Sequence, residues 1–139
     1  MTAYRHEYKH EINTSDFITL SMRLNAALKA DEFARADGAY EITSLYFDDV
    51  YDTALKEKIS CVNCRDKFRL RRYNNDTEHI KLEKKSKRGG LCLKECAAIT
   101  AAQAQSIIGG DIDFLAVQGG VMAELYSAVL VSYNGEYMG

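Results

Sequence analysis

Arg69 and Arg71 stand two residues apart in Lys67-Phe68-Arg69-Leu70-Arg71-Arg72-Tyr73. Side chains of a strand alternate between its faces, so both guanidinium groups share one face while Phe68 and Leu70 take the other. An i, i+2 pair lies about 7 Å apart on a strand, close to the spacing of neighbouring phosphates in a linear phosphate chain. Guanidinium groups grip phosphate oxygens in a fork and stay charged at any relevant pH. A second row follows in Ile80-Lys81-Leu82-Glu83-Lys84-Lys85-Ser86-Lys87, with Lys81, Glu83, Lys85 and Lys87 on one face. Several lysines around one carboxylate suit phosphates together with a divalent cation bridged by Glu83. Lys94 shares parity with Cys92 and Cys96 on the next segment, and a turn at Arg88-Gly89-Gly90 places it on the side of Lys85 and Lys87. Near the N-terminus, Arg5, Glu7, Lys9 and Glu11 repeat the alternation. Three such rows predict a sheet with one wet, basic face, and such a face suits a polyanion. The bland alternative is a solvated face crossed by ion pairs worth little each.

Other chemistry is poorly represented. Cys61-Val62-Asn63-Cys64 has the spacing of a zinc ligand pair. Cys92 and Cys96, however, stand four apart on a predicted strand, about 13 Å along it, too far to share a tetrahedral ion. Free thiols are the better reading. His6 and His10 share parity with Tyr8, opposite Arg5, Glu7 and Lys9, and have no Cys or His at ligand spacing. No nucleophile–histidine arrangement is evident, and Gly89-Gly90 lacks the context of a phosphate-binding loop.

The chain has 139 residues, one domain's worth, with 47% hydrophobic and 27% charged residues. Its formal net charge is -2, and a general nucleic-acid binder would be basic overall. The basic character is local: residues 65–94 hold eleven Lys or Arg against four acids. Few aromatics are interleaved there, which argues against base stacking and nucleic acid as partner. No apolar run is long enough for a membrane segment, and residues 1–5 lack the apolar core of a signal peptide. With its four cysteines as free thiols, the chain is expected to be cytoplasmic.

The elements that must position these residues follow from periodicity. Residues 4–12 read as a strand. Residues 16–30 form a helix, capped by Thr14 or Ser15, with Phe17, Leu20, Leu24, Ala27 and Leu28 at helical spacing. Residues 39–48 read as a strand, and 49–59 as a turn with a short helix. Strands at 67–73, 79–87 and 91–98 form a meander turning at 74–76 and 88–90. Helices are expected at 100–108, capped by Thr100 and closed by Gly109-Gly110, and at 121–128; residues 129–133 read as a final strand. No repeat or linker divides the chain, so residues 1–139 are one domain.

Four motifs in order resemble the VTC (vacuolar transporter chaperone) domain, the polyphosphate polymerase branch of the triphosphate tunnel metalloenzymes. Arg5-His6-Glu7-Tyr8-Lys9 resembles the opening strand, and Ser44-Leu45-Tyr46-Phe47-Asp48 the S-x-Y-F-D strand. Lys67-Phe68-Arg69-Leu70-Arg71-Arg72-Tyr73 resembles the R-x-R strand. Leu82-Glu83-Lys84-Lys85-Ser86-Lys87, followed by Lys94, resembles the E-x-K strand and the next lysine. The resemblance spans most of residues 4–98.

It implies an α+β fold, an antiparallel β-tunnel with flanking helices and a basic interior that holds triphosphate or polyphosphate. It implies transfer of the γ-phosphoryl group of ATP to a growing polyphosphate chain with Mn²⁺ or Mg²⁺. Lys9, Arg69, Arg71, Lys85 and Lys94 would bind phosphate as the catalytic set, Lys87 would join them, and Glu7 and Glu83 would contact metal. A triphosphatase, or a polyphosphate-binding module without catalysis, is the alternative. The family tunnel needs more strands than this sequence displays. Tyr133-Asn134-Gly135-Glu136-Tyr137 also resembles a later strand with Gly135 at its arginine position. The expectation is therefore the N-terminal portion of a tunnel, open unless self-association or a partner chain completes it.

Overall fold

In the computed structural model, which describes residues 3–32 and 34–133, the chain runs β1 (Arg5–His6), α1 (Thr14–Ala27), β2 (Ile42–Tyr46), α2 (Thr53–Ile59) and β3 (Cys64–Tyr73). It continues as β4 (Ile80–Arg88), β5 (Leu91–Ile99), α3 (Ala101–Ile108), a 3-10 turn (Asp113–Val117) and α4 (Val121–Tyr133). The five strands form one antiparallel sheet in the order β1-β5-β4-β3-β2. The fold is α+β, and the sheet is not closed into a barrel: β1 and β2 are its two edges.

The meander at the centre follows its turns. Arg88 pairs with Leu91, so only Gly89-Gly90 connects β4 to β5. Both glycines have positive φ, 55° and 88°, as a tight hairpin matched to strand twist requires and as side chains resist. This turn fixes the register Lys85↔Lys94 and Glu83↔Cys96. Between β3 and β4 the register is Arg69↔Glu83 and Lys67↔Lys85.

The period of two then divides the sheet. Leu70, Leu82 and Ile99 face one side and join Ile107, Leu115, Leu125 and Val129 of the helical layer in the core. Leu82 is fully buried, and burying such a side chain is worth about 1.5–3 kcal/mol. On that side Lys84 donates to the Glu124 carboxylate of α4, and Arg88 pairs with Asp66 at 2.8 Å. The odd-numbered positions of β3 and β4 make up the other, charged side.

Four differences from the sequence reading have physical causes. Residues 4–12 form a strand only at Arg5 and His6, which pair with Cys92 and Leu91. The next partner of β1 would be the Gly89-Gly90 turn, so the chain runs off the end of the sheet. Helix α1 starts with Asn13, not Thr14 or Ser15, as its cap. Asn13 Oδ1 accepts from the Asp16 amide at 2.8 Å and Asp16 Oδ2 accepts from that of Asn13 at 3.3 Å, a capping box. None of the residues of α1 is buried, so its apolar stripe, Phe17 to Leu24, does not enter the core. Finally, residues 129–133 continue α4 instead of forming a strand. Val121, Met122, Leu125 and Val129 are buried at helical spacing, and that packing overrides the strand preference of the valines. The expected strand-like segment 133–137 lies almost wholly outside the described residues.

Helix α3 has the expected cap: Thr100 Oγ1 accepts from the Gln103 amide at 3.2 Å, and Gln103 Oε1 accepts from that of Thr100 at 2.9 Å. No helix among the described residues is long and apolar enough to cross a membrane.

Candidate functional site

The open side of the sheet is built in register rows. Arg69, Glu83 and Cys96 stand side by side on β3, β4 and β5. Lys67, Lys85 and Lys94 form the adjacent row, and Arg65, Lys87 and Cys92 the next. Neighbours within a row are about 4.8 Å apart across the strands, and rows are about 7 Å apart along them. Three lysines abreast repel one another unless an anion lies over them.

Glu83 organises the upper row. It is 1% exposed, and a carboxylate so buried persists only when paired. Arg69 Nε donates to Glu83 Oε2 at 2.7 Å, and the Arg69 terminal nitrogen lies at 2.7 Å from the same oxygen. Arg71 Nε stands 4.0 Å from it. Lys94 Nζ lies 2.8 Å from Oε1, a charge contact that is not aligned as a hydrogen bond. Burial alone would push the Glu83 carboxyl up, but the Lys94 and Arg69 contacts outweigh it and hold the group below the ordinary carboxylate range.

The arginines have second partners on β2. Arg71 Nε donates to Ser44 Oγ at 3.1 Å, and an Arg69 terminal N–H donates to the Tyr46 hydroxyl at 2.8 Å. The register Ser44↔Arg71 and Tyr46↔Arg69 brings each pair together. Burial raises the Tyr46 phenol, but the Arg69 hydrogen bond and the charges of Arg69, Arg71 and Lys67 more than offset it and lower the phenol overall. The other residues of this motif are structural. Phe47 is buried in the core. Asp48 accepts from the amides of Ala54 and Leu55 at 2.8 and 3.0 Å and so holds the start of α2.

Glu7 and Lys9 arrive from beyond β1. Glu7 Oε2 accepts from Lys85 Nζ at 2.6 Å, and Glu7 Oε1 lies 3.4 Å from Lys9 Nζ. The Lys85 hydrogen bond, with smaller help from Lys9, lowers the Glu7 carboxyl. Lys9 is otherwise a rim residue, its side chain 85% exposed.

A cavity of about 900 Å³ opens over this face. Glu7, Lys9, Arg69, Lys85 and Lys87 line it; Arg71, Lys94 and Glu83 adjoin it through the Glu83 cluster. Seven Lys or Arg side chains line the cavity against two carboxylates, Glu7 and Asp48. Three of the seven, Lys58, Arg65 and Lys67, were not among the residues singled out from the sequence. Lys67 and Arg65 had a signal, since they continue the parity of Arg69 and Arg71. Lys58 had none, because it arrives from α2.

The arrangement suits an extended polyanion: fixed cations, a register that spaces them and a cleft to enter. Glu83 and Glu7 already neutralise cations, and no group of three or more His, Cys, Asp or Glu among the described residues could hold a metal. All four cysteines are free thiols, and Cys92 lines the cavity.

Comparison with known families gives a match to the VTC domain over residues 4–133. No curated protein matches the chain.

Proposed function

Because this chain belongs to the VTC domain family, we propose that its basic face binds inorganic polyphosphate and presents it to ATP as phosphoryl acceptor. The supporting observation is the cavity whose seven cations outnumber its two carboxylates. In this reading Arg69, Arg71, Lys85 and Lys94 hold successive phosphates, with Lys9 and Lys87 at the entrance. A terminal oxygen of the acceptor chain attacks the γ-phosphorus of ATP. The bond from that phosphorus to the bridging oxygen breaks, and ADP leaves with the electron pair. Such a transfer asks mainly for alignment and charge neutralisation, which a row of cations supplies. Mn²⁺ or Mg²⁺ would arrive on the phosphate oxygens, with Glu7 as the accessible carboxylate and Glu83 committed to its cations. The donor ATP and the free thiols fit a cytoplasmic setting.

The open sheet favours a second reading, a module that binds polyphosphate or triphosphate without turnover. A partner strand on β2 or β1, from a second copy or another chain, would then enclose the site.

Titration calorimetry with tripolyphosphate, with and without Mn²⁺, tests binding by the wild type and by Arg69→Ala/Arg71→Ala. Binding that the double variant loses supports the site; equal binding by both proteins removes it. Incubation with ATP and Mn²⁺ separates the two readings: new polyphosphate supports transfer, and binding without ADP release supports the module.

A further inference from the structure

Below the arginine pair the cavity continues into a second basic corner. Arg71, Arg69, Lys67 and Arg65 follow one another at every second position of β3, all on the open face. The six residue steps from Arg65 to Arg71 carry this row over about 20 Å. A triphosphate, with end phosphates only two P–O–P bridges apart, covers the Arg69–Arg71 step and leaves the lower part bare.

Lys58 joins the corner from the last turn of α2 and, with Lys67, lines the same cavity. Arg65 holds the corner together: its guanidinium donates to the carbonyls of Val62 and Glu57 at 2.9 and 3.4 Å, tying α2 and the loop after it to the start of β3. The acids nearby are already engaged. Asp48 accepts backbone amides of α2, and Glu7 is paired with Lys85. The Lys67 ammonium is accordingly held below the ordinary lysine range, first by desolvation and then by the charges of Arg65 and Lys58; Tyr46 and Asp48 offset this only in part. A merely solvated row of lysines has no such cost. Lys67 is half-buried and Lys58 exposed at the rim of the same cavity, so an anion entering there would meet both charges and relieve the repulsion on Lys67.

We propose that Lys58 and Lys67 form a second phosphate subsite, one that makes the cavity prefer long polyphosphate chains over triphosphate. This rests on the phosphate-binding reading of the arginine pair. A long chain would cross the arginines and continue down β3, its added phosphates lying between Lys67 and Lys58.

The test compares long-chain polyphosphate with tripolyphosphate in competition assays at fixed salt, using wild type, Lys58→Ala/Lys67→Ala and Lys56→Ala. Lys56 lies on the same helix and does not line the cavity, so it reports general charge loss. The double alanine variant should lose about tenfold in affinity for the long chain and less than about twofold for tripolyphosphate, the scale of two partly screened charge contacts. Lys58→Arg/Lys67→Arg should retain the preference. Equal losses for both ligands, or a matching loss in Lys56→Ala, overturn the subsite and leave the arginine site standing. A wild type that binds neither ligand overturns both.

Discussion

Arg69 and Glu83 face each other across β3 and β4 in direct register, joined by two 2.7 Å contacts to a single carboxylate oxygen. The same carboxylate meets Lys94 through its other oxygen. One buried acid on β4 thus aligns cations from the two strands that flank it.

Removing that acid should be costly. Glu83→Gln leaves Arg69 and Lys94 facing each other without a counter-charge, and we expect a loss of about 2–3 kcal/mol. A fully enclosed pair would lose more, since both cations still reach water. Urea denaturation measures it. Added tripolyphosphate should restore part of the loss, because an anion that binds only the folded state stabilises it.

The same group sets an acid limit. The folded Glu83 carboxyl lies below its unfolded value, so its contribution is present above the ordinary glutamate range and fades as pH falls through the depressed folded value. Glu7 and Asp66 are shifted in the same direction. Thermal melts should therefore hold level above about pH 5 and fall below about pH 4. In Glu83→Gln the slope should be shallower; an unchanged slope would assign the acid sensitivity to other carboxylates.

Ser44 and Tyr46 act through the arginines they contact. Tyr46→Phe removes the acceptor of an Arg69 N–H, and Ser44→Ala that of Arg71 Nε. Each should weaken tripolyphosphate binding about 3- to 10-fold, the scale of one ordinary hydrogen bond of about 1 kcal/mol, because the arginine keeps its charge and its Glu83 contact. Both side chains sit on an edge strand outside the buried core, so Tm should change little. Ser44→Thr keeps the hydroxyl and should retain affinity. A fall in Tm with unchanged affinity would make the contacts purely structural.

Lys67 gives the opposite sign. Its charge is disfavoured in the folded protein, so Lys67→Met should raise stability by a few tenths of a kcal/mol, about 1–3 °C in Tm. Differential scanning calorimetry without added phosphate checks it, and a lower Tm would mean that Lys67 has a stabilising partner.

Much of the site was legible because strands write their faces into the sequence. The parity of Arg69, Arg71, Glu83, Lys85 and Lys94 survives into the structure, where β3, β4 and β5 pair in register, the last two across the Gly89-Gly90 turn. Which rows would meet was not legible. The sequence places Glu83 on the charged face, and only the neighbouring strands show which cations surround it. The lone strand over residues 4–12 failed for a related reason: alternation shows where side chains point, not whether a partner strand lies alongside. At 129–133 local β-branching misled, because burial of Leu125 and Val129 decides the conformation. Ser44 and Tyr46 carried no local sign of their role, which depends on β2 pairing with β3.

The division of the sheet by parity also constrains how its gene can vary. Point changes on the open face leave the packed side untouched. A single codon inserted or deleted within β4 would exchange the two faces beyond that point, sending Lys85 toward the helices and Lys84 toward the cavity. Lineages could therefore retune ligand affinity one substitution at a time, while length changes in these strands would be purged and confined to the loops around them.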